Sequence, residues 1–561
     1  MWRRVRRYIA LAYFETTEAV LRLLGRRRPY GLVHLVLSGD LAEHAVEYRL
    51  LGLPQRDRVD YFGMLTQLRW ARDDASLRAV FISCEHLGIG WAKVQELRRL
   101  LVQMRAAGKT VWLYFSQVGL PEYVLATAAD RIIIAPAGTL DITGLSSEVT
   151  FVASALKKLG IEAELVQIGK YKSAAETFTR SDMSEPHREM MESLVQDLYA
   201  QAVEAISAGR SLTQDDVRAS FDGGPFTAVE AQRQRLVDAL LYEDEAIEQL
   251  KAHTGDLPML EMRDYARRRG RAMAKLAHSR ADGTIAVMHI TGTIRSGESV
   301  PGPDAASACG NESVARDLKE LRERDDVKAV VVRISSPGGS GLASDLIWHE
   351  VRRSAEKKPV VVSFGDVAAS GGYYIGVAGR RVFAEAGTLT GSIGVLAGKA
   401  VIKGLLDQLG ITRAVISRGR NAALHSSYLP MTAEARERLQ AEAQFFYSEF
   451  LGKVAAGRNM SVEAVDAVGQ GRVWTGKQAH ELGLIDEIGG LERALEEAKA
   501  LAGIGRDQIV RIDRYPHARR LWKMAFNLTP PSLQLSELFP WLQHIATERV
   551  WAVLPFRIRF F

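Results

Sequence analysis

The sequence predicts an α/β protein built by tandem duplication of one domain, with parallel sheets and helical extensions. The first observation is a repeat, because matched segments recur in the two halves at spacings of 248 to 252 residues. The second is an alternation of short β-branched runs with stretches of helical periodicity, which favours parallel strands joined by crossover helices. The third is the length of 561 residues, which is too great for one hydrophobic core.

The repeat is carried by short segments whose spacing drifts by only a few residues along the chain. Ala-Gly-Thr-Leu occurs at 137–140 and at 386–389, and Leu-Gly-Ile occurs at 159–161 and at 409–411. A drift this small across a whole domain indicates duplication. We therefore divide the chain into five segments: a basic amphipathic N-terminal segment (1–28), a first copy (29–250), a connector (251–282), a second copy (283–505) and an aromatic-rich tail (506–561).

The elements of the second copy are the clearest. Thr284–Ile290, Ala329–Ile334 and Pro359–Ser363 are short apolar runs that predict buried strands. Ala343–Arg353 predicts a helix between the second and third of them. In the first copy, Gly31–Leu37 corresponds to the first of these strands.

Composition excludes several classes of protein. A formal charge of +6 is small for this length and gives no sign of a nucleic-acid partner. Cys84 and Cys309 are the only cysteines, which excludes a disulfide framework and a cysteine metal cluster. No window of 18 consecutive apolar residues occurs, so the sequence predicts no clear membrane span.

Both ends of the chain nevertheless have the composition of membrane-surface segments. Residues 1–28 combine arginines with short apolar runs, as a basic amphipathic helix on an anionic surface would. A helical extension packed on its own domain would have the same pattern. The tail interleaves aromatic residues with arginines, which suits either a membrane interface or docking into a partner subunit.

The first candidate for chemistry is the segment Phe364-Gly-Asp-Val-Ala-Ala-Ser-Gly-Gly-Tyr373. It follows a predicted buried strand, so Ser370 lies at a strand-to-helix turn among small residues. Gly371 leaves room for backbone N–H groups to approach a ligand near the positive end of a helix. A nucleophilic serine is expected in such a turn, although a glycine turn used only for close packing would look the same.

A second glycine turn follows the preceding strand, within Ser335-Ser-Pro-Gly-Gly-Ser340. Gly338 and Gly339 would expose backbone donors there, as one half of an oxyanion hole. Because successive parallel strands end at the same edge of a sheet, the two turns are expected to lie side by side.

The copies differ at the positions that matter for this site. With a spacing of 249, Ser370 corresponds to Pro121, so the first copy has no serine at the turn. With a spacing of 250, Lys172 of the first copy corresponds to Ala422. A lysine among small apolar residues can have its pKa lowered from about 10.4 to roughly 7–8 and act as a base. Lys170 is a rival, although Arg420 opposite it indicates a shared structural cation.

A serine nucleophile needs a base, and the second copy offers three histidines. His289, His349 and His425 all lie in undistinguished surroundings. A serine–lysine pair is an alternative form of the same chemistry and does not need them.

The chain resembles the signal peptide peptidase A family in its long, duplicated form. The resemblance rests on four segments, read in order along the chain: Tyr171-Lys-Ser-Ala174, Ser336-Pro-Gly-Gly-Ser340, Ala369-Ser-Gly-Gly-Tyr373 and Leu389-Thr-Gly-Ser-Ile-Gly394. It implies two Clp-protease/crotonase-like domains and a serine peptidase. It also implies residue roles: Ser370 as nucleophile, Lys172 as general base, Ser392 as the hydroxyl that holds the amine, and Gly371 with Gly338 or Gly339 as oxyanion donors.

The same resemblance implies a setting for the enzyme. Members assemble as homo-tetramers at the bacterial cytoplasmic membrane and degrade released signal peptides, without a metal or an organic cofactor. This sequence departs from the family in residues 1–28, which are too charged for the usual membrane helix. The side of the membrane is left open by the sequence.

Three other functions are compatible with the residues. A crotonase-type acyl-CoA enzyme would share the fold and the oxyanion hole without needing Ser370. A Clp-like peptidase would use a histidine base, with His425 as the best candidate. A non-catalytic membrane scaffold would suit the two ends of the chain but would leave the difference between the copies unexplained.

Overall fold

The computed structural model describes residues 30–44, 49–50, 53–54, 60–300, 307–505, 508–517 and 550–553. The predicted N-terminal amphipathic segment and most of the predicted tail lie outside these residues. Within them, no helix has the length and apolar character that crossing a membrane would require.

The first copy is an α/β unit. Its described strands are β1 (Leu32–Gly39), β2 (Arg49–Leu50), β3 (Leu53–Pro54), β4 (Ala79–Leu87), β5 (Thr110–Val118), β6 (Arg131–Leu140), β7 (Glu162–Ile168), β8 (Phe226–Thr227), β9 (Ala239–Leu240) and β10 (Met259–Glu261). Its helices are α1 (Tyr61–Asp73), α2 (Trp91–Ala106), α3 (Leu120–Ala126), α4 (Ala153–Lys158), α5 (Glu176–Thr179), α6 (Glu185–Arg210), α7 (Gln214–Gly223), α8 (Ala228–Arg233) and α9 (Glu243–Thr254).

Helix α10 (Met262–Arg280) leads into the second copy. The strands there are β11 (Thr284–Thr291), β12 (Thr293–Arg295), β13 (Ala308–Gly310), β14 (Val327–Ser336), β15 (Gly338–Ser340), β16 (Val360–Ala369), β17 (Arg381–Ala384), β18 (Leu389–Gly391), β19 (Val395–Val401), β20 (Val473–Thr475), β21 (Glu487–Ile488), β22 (Arg511–Tyr515) and β23 (Val550–Val553). The helices are α11 (Asn311–Glu323), α12 (Gly341–Lys357), α13 (Gly371–Gly376), α14 (Lys403–Gln408), α15 (Ala433–Arg458), α16 (Val462–Val468), α17 (Gly476–Glu481) and α18 (Leu491–Leu501).

The main sheets of the two copies have the same strand order. The first runs β10-β1-β4-β5-β6-β8 and the second runs β22-β11-β14-β16-β18-β20, with β17 beside β16. The central pairs, β1–β4–β5 and β11–β14–β16, are parallel. The predicted tandem duplication of an α/β domain is therefore confirmed.

The β-branched runs form strands because both faces of each main sheet are covered. In β14, Ala329 and Val331 pack into one hydrophobic cluster, whereas Val330 and Val332 pack into another. Helix α18 covers the first cluster with Leu491, Ala494, Leu495 and Ala498, the spacing of one helix face. Continuous apolar runs are typical of parallel strands buried on both sides.

Each copy extends past the boundary that the sequence predicts for it. Strand β10, placed in the connector, pairs in parallel with β1. Strand β22, placed in the aromatic tail, pairs in parallel with β11. Both are short strands that add to an otherwise exposed sheet edge, and neither has the apolar pattern by which the interior strands are recognised.

A third sheet joins the two copies. Its order is β13-β12-β15-β23-β19-β7, and all of its strands except β7 come from the second half of the chain. Strand β7 of the first copy pairs antiparallel with β19 over seven residues, from Ile168 opposite Val395 to Glu162 opposite Val401. This pairing carries the segment after β7 into the second copy.

Buried charges hold the copies together near this junction. The Arg333 guanidinium donates to both carboxylate oxygens of Glu43, at 3.1 and 3.2 Å, and to Ser363 Oγ at 2.8 Å. Burial alone would raise the pKa of Glu43, but the Arg333 and Lys93 charges hold it at about 2. The ion pair thus ties the first copy to β14 and β16, the two strands that lead to the predicted site.

Candidate active site

Ser370 lies at a sharp turn between β16 and α13. Its backbone has φ +55° and ψ −114°, a conformation that residues with a side chain rarely adopt. Two hydrogen bonds hold it there: the Ser370 N–H donates to Gly391 O, and the Tyr374 N–H donates to Ser370 O, both at 2.8 Å. The neighbouring Gly371 has no room for a side chain, because a Cβ would lie 2.4 Å from Ser344 Oγ.

Lys172 comes from the first copy, in the loop between β7 and a 3₁₀ turn at Ser173–Ala175. Residues of the second copy hold this loop in place. The Tyr171 N–H donates to Gln470 O at 2.8 Å. Gly471, with φ +78°, packs so closely that a Cβ there would lie 2.5 Å from the backbone nitrogen of Lys172. Glycine is required at Gly471 on both counts.

The two copies meet at the Lys172 amine. Nζ lies 2.7 Å from Ser370 Oγ, 2.9 Å from Ser392 Oγ and 3.1 Å from Ser392 O. The side chains of Lys172, Ser370 and Ser392 are all fully buried, each at 0% exposure. The structure thus brings the predicted nucleophile, base and supporting hydroxyl into one hydrogen-bonded group.

Burial lowers the pKa of Lys172 to about 7, with no other cause contributing to the shift. Among the described residues, no carboxylate forms an ion pair with its amine. A neutral amine has two N–H donors and one lone pair. The two oxygens of Ser392 can accept both N–H groups, which leaves the lone pair directed at the Ser370 hydroxyl. This arrangement would allow a neutral amine to accept a proton from the serine hydroxyl.

The three glycines predicted as oxyanion donors also lie together. A Cβ on Gly371 would be 3.3 Å from both the Gly338 Cα and the Gly339 nitrogen. The Gly338 N–H already donates to Ser336 Oγ at 3.1 Å. The Gly338 amide is therefore already engaged within its own turn. Gly371 is the first residue of α13, where backbone N–H groups have no partner within the helix.

The residues that support the lysine loop were not predicted from the sequence. Arg472 binds Glu189 and lies over the Tyr171 ring, 4.8 Å from its centre, while the Tyr171 hydroxyl donates to the same carboxylate at 3.0 Å. The two contacts of Arg472 join residues nearly 300 positions apart, which no local pattern reveals. The one sign of this support in the sequence is the close spacing of Gly469 and Gly471.

One predicted correspondence between the copies is wrong by one residue. Tyr123 and Tyr373 make the same hydrogen bond, to the carbonyls of Leu236 and Leu484, each at 2.8 Å. This pair sets a spacing of 250, so Ser370 corresponds to Leu120 and not to Pro121. The spacing changes by one residue between Val367 and Tyr373, where β16 ends and the serine turn begins, and the constant offset did not follow this change. The conclusion is unchanged, since the first copy still lacks a hydroxyl here.

The rival candidates lie elsewhere. Lys170 is exposed, with its amine 4.7 Å from the centre of the Tyr171 ring. His289 is buried and stacked on His44, with ring centres 4.7 Å apart. His425 is exposed. Across the part of the chain that the structure describes, Ser370 Oγ has Lys172 as its side-chain partner and no histidine.

Comparison with known proteins identifies the family. The model of peptidase family S49 matches twice, at residues 103–255 and 352–505. The first match contains Lys172, and the second contains Ser370 and Ser392. The two matches fall one in each copy and together span more than half of the chain.

Curated relatives agree with this assignment. The chain is 36% identical over 77% of its length to the chloroplastic serine protease SPPA of Arabidopsis thaliana, and the match covers 64% of that protein. It is 30% identical over 81% of its length to Protease 4 of Haemophilus influenzae, covering 75% of that protein. A putative signal peptide peptidase SppA of Enterococcus faecium is 37% identical over 32% of the chain and 53% of that protein. The predicted family is confirmed, and the chain belongs to peptidase family S49.

Proposed function

We propose that the chain is a serine endopeptidase that cleaves peptide bonds through a dyad of Ser370 and Lys172. The observation that carries this proposal is the 2.7 Å contact between the two side chains, both fully buried and each supplied by a different copy. Membership of a peptidase family supports it. A lysine held neutral near pH 7 is what a serine hydroxyl needs as a base.

The proposed reaction uses side chains of this chain alone. Neutral Lys172 takes the proton of Ser370 as the serine oxygen attacks the peptide carbonyl. The N–H groups at Gly371 and Gly339 stabilise the negative oxygen that forms. The Lys172 ammonium then gives its proton to the departing amine, leaving an acyl-enzyme on Ser370. Lys172, neutral again, activates a water molecule that hydrolyses the ester.

We propose cleaved signal peptides or other small peptides as the substrates, at a membrane. The support is the resemblance of the chain to signal peptide peptidases, together with the basic segment 1–28. A basic amphipathic segment would bring the enzyme to an anionic bilayer, where released apolar peptides accumulate.

A serine-directed phosphonate probe tests the dyad. We expect stoichiometric labelling of the wild type, with the added mass on the peptide that contains Ser370. Labelling of Lys172→Ala should be slower by orders of magnitude, because its serine has no base. Intact-mass spectrometry followed by peptide mapping measures both. Labelling of Lys172→Ala at the wild-type rate, or labelling at another serine, contradicts the proposal.

The structure also supports the homo-oligomer that the resemblance implies. Strands β7 and β19 pair within the chain. Their counterparts in the opposite copies, 250 residues away, are segments 412–418 and 145–151. Helices α4 and α14, which directly follow 145–151 and β19, have the same spacing. Within the described residues, neither counterpart is paired in a strand, and segment 412–418 is exposed throughout, with Ile416 at 90%.

We therefore propose that segment 412–418 of one chain pairs with segment 145–151 of the next. The pairing would repeat the β7–β19 ladder between chains. Such a head-to-tail contact closes into a ring when the rotation between neighbours allows it. A ring of four would match the tetramer that the resemblance implies.

Light scattering on the purified protein tests this assembly. We expect a mass near four times that of the 61.9 kDa chain. Ala414→Pro should lower it to that of the single chain, because proline removes a donor from the middle of a strand. Ile416→Lys should have the same effect. Val229→Lys, which changes a residue of α8 that is 53% exposed, is the matched control. A wild type of monomer mass, or segment variants of unchanged mass, rejects the interface.

A further inference from the structure

Strand β16 bulges shortly before the turn that carries Ser370. Between the pairs Ile334–Phe364 and Ser336–Ala368, one residue of β14 faces three residues of β16. Bulges next to active sites change the direction of the strand that follows them. The direction in which β16 reaches the serine turn therefore depends on how the bulge is held.

The second copy holds one side of this bulge, which consists of residues 365–367. The Arg333 guanidinium donates to Phe364 O at 2.8 Å, directly before the bulge. The Thr388 hydroxyl donates to Gly365 O at 2.9 Å, within it. Both contacts fix the bulge relative to the sheet that contains β16.

The first copy holds the other side through the N-terminus of α2. Asp366 Oδ1 accepts the backbone N–H of Lys93 at 3.0 Å, and Asp366 Oδ2 lies 3.6 Å from the Lys93 amine. The N-cap residue of α2 is Gly90, which has no side chain to accept a free N–H group. A Cβ on Gly90 would lie 2.2 Å from Asp366 Cγ, so the missing side chain makes room for the carboxylate. Asp366 thus caps α2 across the boundary between the copies, at the end of the helix that favours negative charge.

The corresponding helix of the second copy caps itself. With a spacing of 250, Gly90 corresponds to Ser340 and Lys93 corresponds to Ala343. Ser340 is the N-cap of α12, and its hydroxyl accepts the Ala343 N–H at 3.3 Å. The first copy therefore lacks the cap that the same helix has in the second copy, and the strand that leads to the nucleophile supplies it.

We propose that Asp366 is a positioning residue, which caps α2 and thereby fixes the bulge of β16, and with it Ser370, against the copy that carries Lys172. This inference rests on the proposed peptidase function. The first-copy end of the contact is itself firmly held, because Lys93 is buried and its amine donates to Leu41 O at 2.8 Å. Without the Asp366 carboxylate, the bulge would keep its contacts within the second copy and lose this contact with the first. A small displacement of a reacting atom is enough to slow a reaction.

Kinetics of Asp366 variants test the positioning role. Asp366→Ala should lower kcat for a fluorogenic peptide by about 10- to 100-fold and leave KM nearly unchanged. Asp366→Asn keeps an oxygen that can accept the Lys93 N–H, so its kcat should stay within a few-fold of the wild type. Thr213→Ala removes the cap of α7, which lies wholly within the first copy, and is the matched control for lost helix capping. An unchanged kcat in Asp366→Ala overturns the inference.

A second pair of variants separates positioning from helix capping. Asp366→Gly clears the space that a side chain at Gly90 needs, and adding Gly90→Ser gives α2 the kind of cap that Ser340 gives α12. The double variant should recover thermal stability lost in Asp366→Gly but should not recover kcat, because the contact between the copies is still missing. Recovery of kcat by Gly90→Ser would show that the cap alone matters and would overturn the positioning role.

Hydrogen exchange followed by mass spectrometry tests the same inference without any cleavage. Asp366→Ala should exchange faster than the wild type in peptides from the start of α2 and also in peptides that contain the turn at Ser370. Faster exchange at α2 alone overturns the inference. If both regions respond but the wild type cleaves no peptide, Asp366 still positions the turn and the peptidase proposal fails.

Discussion

Replacing Ser370 with alanine is expected to reduce kcat/KM for peptide cleavage by about 10⁴- to 10⁶-fold, the range found when the nucleophile of a serine peptidase is removed. The change deletes the one atom that forms the acyl-enzyme. It also removes a fully buried hydroxyl whose side-chain partner is Lys172, so the fold should survive. A fluorogenic peptide assay measures the loss, and circular dichroism checks the fold.

The matched control for this variant is Ser354→Ala. Ser354 is also a buried serine, but it lies in α12 and its hydroxyl donates to Glu350 O at 2.9 Å. This substitution should leave kcat/KM within a few-fold of the wild type. Activity retained by Ser370→Ala would show that another group attacks the substrate. That result would favour the alternative hypothesis of a crotonase-type enzyme.

Replacing Lys172 with arginine is expected to abolish activity although it keeps a cation at the same position. Guanidinium has a pKa above 12 and stays protonated, so it cannot accept the serine proton. In the wild type, burial lowers the pKa of Lys172 to about 7. The neutral base forms as pH rises, so kcat/KM should increase through pH 7 and level off about two pH units above it. A pH–rate profile measures this; a profile that falls over that range contradicts a lysine base.

Lys172→Met shows whether inactivity reflects lost chemistry or a lost fold. In the unfolded chain the lysine pKa is about 10.4, and in the folded protein it is about 7. Folding is therefore penalised by the buried charge at pH below 7, and the penalty fades as pH rises from 7 to 10.4. Lys172→Met lacks the penalty. Lys172→Met should therefore have a higher free energy of unfolding than the wild type. Denaturant unfolding should show that this difference is smaller at pH 9.5 than at pH 6.5, by about 3 kcal/mol.

The division of the proposed dyad between the two copies would have a physical advantage. A lysine base must be neutral, and burial is the only influence that lowers its pKa here. The amine is buried because the loop that carries it is clamped between β19 and the Gly469–Arg472 loop of the other copy. If Lys172 is the base, as proposed, docking of the copies both lowers its pKa and places its amine against the Ser370 hydroxyl.

The chemistry-bearing residues could be read from the sequence because duplication supplies its own comparison. Ser370 stands out as a serine between small residues after an apolar strand, and Lys172 as a lysine among small residues that the other copy lacks. Ser392 followed only from the family resemblance. The off-by-one match to Pro121 shows the limit of a constant spacing, since the spacing between the copies changes by one residue near the serine turn and changes back further along the chain.

The sequence by itself determined the duplicated α/β architecture, the buried strands and the identities of the candidate serine and lysine. These follow from periodicity and from short segments, which are local. Only the tertiary structure decided that the amine reaches the hydroxyl, that Gly471 and Arg472 support the lysine loop, and that the tail strand β23 pairs between β15 and β19. Each of these contacts joins segments more than a hundred residues apart, and such contacts are selected by the packing of whole elements against one another.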